Sequence, residues 1–317
     1  MPINVVIPDP PFFDTAGLEQ LAKANKFKLT IHRKLAVDAS HLQSRIVDAN
    51  IIIVDVLSDY NRLSLSGCKH LKHLISASVA LNHVDLVYCR QQGIDVHSFR
   101  TYNSRAVAEM AFANLIALLR HIPHANLSVR SNLWLTERFE GEELKGKTLG
   151  IIGAGNIGKE LIAIGLGFGM RIHCHTQRPS DERAHSLGLD RFYSLDETLS
   201  SSDFLILAVT STDETRNLIN EHTLKLMRPS SYLINMGRQY LVETRALARA
   251  LYRRALAGAA LDFVGDEPYS LFADDPEIQE MVNRPNVIVT PHIGFNTKEA
   301  SERLSSEVVA LVGRLIS

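Results

Sequence analysis

Thr148-Leu149-Gly150-Ile151-Ile152-Gly153-Ala154-Gly155-Asn156-Ile157-Gly158 is the stretch that decides how the 317-residue chain is read. Leu149 to Ile152 is a short apolar run of the kind that forms a strand buried on both faces. It runs directly into G-x-G-x-x-G, and Leu161, Ile162, Leu166 and Phe168 then recur with helical spacing. A bare G-x-G-x-x-G says little, because glycine turns are common. A strand before it and an apolar-periodic helix after it make it a dinucleotide-binding turn. Gly153 permits the tight turn, Gly155 lets the backbone approach a pyrophosphate, and Gly158 lets helix and strand pack closely. Asn156 and Ile157 open the helix, whose free N–H groups and positive dipole end favour phosphate.

The next strand, expected over Arg171–Thr176, ends roughly 20 residues past Gly153, where an NAD enzyme carries an acid for the ribose hydroxyls. Here the sequence is His175-Thr176-Gln177-Arg178-Pro179-Ser180. With no carboxylate to repel a 2′-phosphate and a guanidinium available to pair with one, this stretch favours NADP(H) over NAD(H).

Working outward, short runs rich in β-branched residues alternate with longer amphipathic ones, the pattern of parallel sheets covered by helices. Strands are expected at Asn4–Ile7, Lys28–His32, Ile51–Asp55, Leu71–Ser76 and Asp95–Phe99, with helical stretches such as Leu18–Ala24 and Ser40–Ala49 between them. A second series follows: Thr148–Gly153, Arg171–Thr176, Phe204–Val209, Tyr232–Met236, Ala259–Phe263 and Val287–Thr290. Two series of this kind predict an α/β chain of two doubly wound domains. Between them Ser104 to His121 is apolar on most sides, so a helix there must be buried on several faces. That helix reads as an interdomain element and equally as part of a homodimer interface.

The 34 Lys and Arg against 35 Asp and Glu give a net charge of −1, which excludes a globally basic nucleic-acid or membrane-surface binder. Cys68, Cys89 and Cys174 are odd in number and lack any C-x-x-C pair, which excludes a disulfide scaffold and a Cys-rich zinc site; no metal is expected. Neither a secretory leader nor a long uninterrupted apolar span is visible, so the expectation is a soluble, cytoplasmic protein.

Three further patterns follow the glycine turn in order: Asn235-Met236-Gly237-Arg238, then Gly258-Ala259-Ala260-Leu261-Asp262 with Asp266-Glu267-Pro268, then Thr290-Pro291-His292-Ile293-Gly294. Together with Gly146-Lys147-Thr148, they resemble the D-isomer-specific 2-hydroxyacid dehydrogenase family, most strongly from Val107 to Thr297. The resemblance implies a Rossmann cofactor domain at residues 103–290 inserted into a flavodoxin-like substrate domain of residues 1–102 and 291–317, working on a small 2-keto or 2-hydroxy acid in the cleft between them. It further implies that Arg238 binds the substrate, that His292 is the acid/base, and that Glu267 orients it. The cofactor set it implies adds Val209, Thr210, Thr215, Met236, Gly237, Asp262 and Gly294 to the residues above.

The chemistry suits these residue types. Hydride delivered to a keto carbon builds charge on oxygen beside a carboxylate, and an arginine fork can hold both. A histidine is the natural proton donor near neutral pH. The family's substrate loop usually carries G-x-G, whereas here Ser76-Ala77-Ser78-Val79-Ala80 contains none. Some glyoxylate/hydroxypyruvate reductases resemble its Ser-Val part, so Ser78, Val79 and Ala80 are expected at the substrate, with Tyr102. The leading expectation is thus an NAD(P)H-dependent reductase of small 2-keto acids, acting as a homodimer. The alternatives are a dinucleotide-sensing, corepressor-like interaction protein of the same fold, or a phosphoglycerate, D-lactate, formate or phosphite dehydrogenase.

Overall fold

The computed structural model describes residues 2–264 and 275–317. It divides into two compact units, one running to Asn103 and resuming over Asn296–Ser317, the other Ser104–Phe295.

The first unit holds five strands, β1 (Asn4–Ile7), β2 (Lys28–Ile31), β3 (Ile51–Val54), β4 (His73–Ser76) and β5 (Asp95–Ser98). All pair in parallel, in the order β2-β1-β3-β4-β5. This is the flavodoxin-like winding, with its switch point between β1 and β3. Val6, Ile52, Val54 and Leu74 pack on one face against Leu42, Ile46 and Leu65. The last helix, Lys298–Ile316, packs against the first, Ala16–Asn25. The second helix stops at Ile46, short of the expected Ala49, because Ala49 N–H turns back to Ile46 O in a tight turn.

The second unit has six parallel strands, β6 (Thr148–Ile152), β7 (Arg171–His175), β8 (Phe204–Leu207), β9 (Tyr232–Asn235), β10 (Gly258–Leu261) and β11 (Val287–Val289), in the order β11-β10-β9-β8-β6-β7. Alternate residues serve opposite faces. Ile151, Ile206, Ile234 and Ala260 join Phe112, Leu115, Leu161 and Ile162 in one core. Ile152, Leu205, Leu207, Leu233 and Leu261 join Leu224, Leu247, Leu251 and Met281 in the other. Covering both faces removes any polar face, which is why these strands read as continuous apolar runs.

The chain leaves β6 for β7 on one side and returns to β8 on the other, so the switch point lies at the C-terminal end of β6. Ligands of open α/β sheets bind at that place. The expected boundary at residue 291 lies a few residues early. Pro291 to Phe295 stay with the second unit, because the N–H groups of His292, Ile293 and Gly294 all bond to Asp262. The apolar segment forms a helix over Ser104–Leu119 within the second unit, burying Val107, Ala111, Phe112 and Leu115 among other residues. Among the described residues no single helix is long and apolar enough to cross a membrane.

Candidate active site

At the end of β6 the glycines divide their work. Gly153 has φ +109°, and a Cβ there would lie 2.5 Å from Ala208 O. A Cβ on Gly158 would lie 2.0 Å from Gly153 O. Both are therefore demanded by the protein's own packing. A Cβ on Gly155 would meet nothing within 4 Å, so no protein atom explains that glycine. Gly155 also begins the helix Asn156–Gly167 with no side-chain cap, at the kind of helix start where phosphates bind. Asn156 and Gly155 are exposed and Ile157 half-buried. An open, uncapped cradle at the switch point fits a dinucleotide pyrophosphate.

β7 ends beside it, with Gly153 N–H donating to His175 O at 2.8 Å. Thr176 is half-buried, whereas Gln177 and Arg178 are exposed. Spacing gave no hint of Arg183, which folds back to donate through Nη2 to Ala154 O at 2.6 Å. Across the switch point, Val209 is half-buried and Thr210 exposed. The Thr215 side chain turns inward onto its own loop. Its Oγ1 donates to Thr210 O at 2.8 Å and accepts from Thr212 N–H at 2.8 Å, so it staples its own loop.

The three expected catalytic loops follow the neighbouring strands β9, β10 and β11. After β9, buried Asn235 organises the turn: its Oδ1 accepts from Gly237 N–H at 2.9 Å and its Nδ2 donates to Arg238 O at 3.2 Å. Met236 is buried, and Arg238, half-buried, precedes the short 3-10 turn Gln239–Leu241.

After β10, Asp262 is 1% exposed. One carboxylate oxygen accepts from Thr290 Oγ1 at 2.6 Å and Ile293 N–H at 3.0 Å; the other accepts from Gly294 N–H at 2.7 Å. Its backbone carbonyl takes His292 N–H at 2.8 Å. Asp262 was expected at the cofactor; its visible work is to clamp the loop after β11.

That clamp has a purpose. His292 has φ +53°, a left-handed conformation costing a non-glycine residue roughly 1–2 kcal/mol. The ring is half-buried and meets Phe263 and Phe295 edge-on, at centroid distances of 5.2 and 5.6 Å. Gly294 follows because a Cβ there would lie 2.7 Å from Asp262 Oδ2. Glu267, the expected partner of His292, lies outside the described residues. Replacing Asp262 by alanine leaves three donors unmatched, two of them backbone N–H groups. We expect a loss of about 2–4 kcal/mol in urea unfolding. Unchanged stability would mean that something else holds the His292 loop.

In the first unit, the loop after β4 carries the expected substrate residues. Ser78 is 9% exposed; its Oγ donates to Ala80 O at 2.7 Å and lies 2.9 Å from Ser76 Oγ, which is 3.2 Å from His83 Nε2. The hydroxyls thus brace the loop from beneath, and Val79, at 42% exposed, is its outward point. Tyr102, expected to face substrate, is buried, and its carbonyl accepts from Arg303 Nε of the last helix at 2.7 Å. Beside the loop stands an acid that sequence reasoning passed over. Ala77 N–H donates to Val54 O at 2.8 Å, so Asp55 adjoins the loop; burial pushes its carboxyl up to about 6.

The family model for the D-isomer specific 2-hydroxyacid dehydrogenase, NAD binding domain, matches residues 112–294. The chain belongs to this family. It is 34% identical over 276 residues to the glyoxylate reductase of Pyrococcus furiosus, covering 85% of this chain and 80% of that protein. It is also 34% identical over 267 residues to the D-3-phosphoglycerate dehydrogenase of a Synechocystis species, covering 81% of this chain but 47% of that protein. The chain therefore spans about half the length of that second relative. Among solved structures of the family it is similar to the D-lactate dehydrogenase of Aquifex aeolicus complexed with NAD and lactic acid. That likeness has a TM-score of 0.84 and 30% identity, and covers 99% of this chain and 95% of the other. The family brings with it a nicotinamide dinucleotide as cofactor class, which the open cradle at Gly155 fits.

Proposed function

We propose that this dehydrogenase-family chain reduces small 2-keto acids of the glyoxylate and hydroxypyruvate class to D-2-hydroxy acids, with NADPH preferred. The observation that carries the reading is the grouping of Arg238 and clamped His292 on loops of one sheet edge, in the unit that holds the glycine cradle. When bound, the nicotinamide supplies the hydride. Arg238 holds the substrate carboxylate and keto oxygen with its guanidinium fork, and binds more strongly as charge grows on that oxygen. His292 donates the proton that converts this oxygen to a hydroxyl, and Glu267 favours its protonated form. Similarity to a glyoxylate reductase over most of both chains supports a small substrate, and the absence of an acid at Thr176 supports NADPH.

The test is the fall of nicotinamide absorbance with NADPH or NADH against glyoxylate, hydroxypyruvate, pyruvate, phenylpyruvate and 3-phosphohydroxypyruvate. We expect the highest kcat/KM with glyoxylate or hydroxypyruvate and NADPH. No turnover of any keto acid, with cofactor binding intact, would instead support the interaction-protein reading.

The same proposal includes a homodimer. The helix Ile122–Arg130 buries none of its residues, and Leu127, Val129, Leu133 and Trp134 are all exposed, Trp134 at 83%. Apolar exposure on this scale fits a second copy, giving twice the chain mass in light scattering.

A further inference from the structure

The segment after β7 offers two guanidinium groups, and the fold treats them differently. Arg178 is exposed to solvent. Arg183, on the short helix Asp181–Ser186, is half-buried and turned back toward the sheet. Its Nη2 donates to Ala154 O at 2.6 Å, inside the glycine turn. Its Nη1 donates to Arg178 O at 3.2 Å and reaches Thr176 Oγ1 at 3.5 Å, both just beyond β7. The guanidinium carbon lies 5.8 Å from the Phe192 ring centroid, which supports the fork from one side.

One side chain thereby ties together the two segments between which a Rossmann fold seats the adenosine ribose. The three acceptors engage three of the five N–H donors of the fork, leaving the Nε–H and one Nη2–H. Every protein partner is an uncharged oxygen. Among the described residues no carboxylate pairs with Arg183, whose partners are Thr176 Oγ1, Arg178 O and Ala154 O, and Asp181 and Glu182 on the same turn are exposed. A cation held beside the ribose position, with donors to spare and no counter-ion, matches a phosphate on the ribose.

We propose that Arg183, rather than Arg178, is the residue that selects the 2′-phosphate of NADP(H). Arg183 fixes the ribose-side loop through its backbone acceptors and turns its remaining donors and its charge toward the phosphate. Arg178, exposed to solvent and contributing its carbonyl to Arg183, adds little. This rests on the proposed NADPH preference, and not on which keto acid is reduced.

The test uses adenine fragments that need neither substrate nor turnover: adenosine 2′,5′-bisphosphate and adenosine 5′-monophosphate, titrated calorimetrically into the full chain at one fixed salt concentration. The unmodified protein is expected to bind the bisphosphate about ten- to a hundredfold more tightly. Arg183→Ala should abolish most of that preference while weakening the monophosphate much less. Arg178→Ala should keep most of it. Arg183→Gln, which can still donate to Ala154 O, should also lose the preference, so that a folding defect in the alanine variant does not blur the result. Arg183→Lys, keeping the charge without the fork, should fall between.

Discrimination retained in the Arg183 variants, or abolished by Arg178→Ala alone, would overturn the assignment. Equal weakening of both fragments would overturn it too, since it would make Arg183 a loop support only. Discrimination without any keto-acid reduction would leave this inference standing and remove the reductase reading. Reduction that uses NADH and NADPH equally would do the reverse.

Discussion

His292→Ala is expected to lower kcat for keto-acid reduction by about 10²–10⁴-fold, the usual worth of a positioned general acid. KM for the keto acid should move far less, because the imidazole acts mainly on the oxygen as it gains charge. The fall of reduction rate with rising pH that a protonated imidazole imposes should flatten in the variant. Folding should survive, and relief of the +53° φ strain is not expected to be large, since alanine also avoids that region. The loop keeps its bonds to Asp262 through Ile293 and Gly294, neither of which needs the imidazole. His292→Gly would release the backbone as well and serves as a control for loop mobility. Turnover near that of the unmodified protein in the alanine variant would refute the proton-donor role.

Arg238→Ala is expected to damage binding and turnover together. One guanidinium is asked to hold a carboxylate in the ground state and a developing alkoxide in the transition state. At about 1.5–3 kcal/mol for each charge-assisted contact, losing two of them lowers kcat/KM by roughly 10²–10⁴-fold. Arg238→Lys should recover only part of this, since a point charge cannot make the bidentate contact. The turn itself should persist, because Asn235 holds Gly237 N–H and Arg238 O through backbone atoms. A variant with raised KM but normal kcat would restrict Arg238 to ground-state binding and leave the oxyanion without its proposed donor.

The sequence alone determined the two series of strands. Residues such as Ile51 to Val54 and Phe204 to Leu207 are buried on both faces, so apolar, largely β-branched or aromatic runs are the only composition they tolerate. Their ends read one or two residues long, as at Thr176, Met236 and Val209, where the ladders stop at His175, Asn235 and Leu207. The glycine turn was equally legible, since steric demands at Gly153 and Gly158 admit almost no other residue. The expectation for Arg238 and His292 rested on their neighbours in order along the chain.

Only the tertiary structure decided which way the polar side chains face. Thr215 and Ser78 turn inward to brace their own loops, Tyr102 is buried, and Asp262 spends its carboxylate on the His292 loop. Arg183 was invisible because a long side chain on a new helix can return to a backbone carbonyl 29 residues earlier. Local patterns record what each segment must bury. They carry no record of where a flexible charged group lands once two distant turns have been brought to the same sheet edge, because that position is fixed by the packing of the whole sheet.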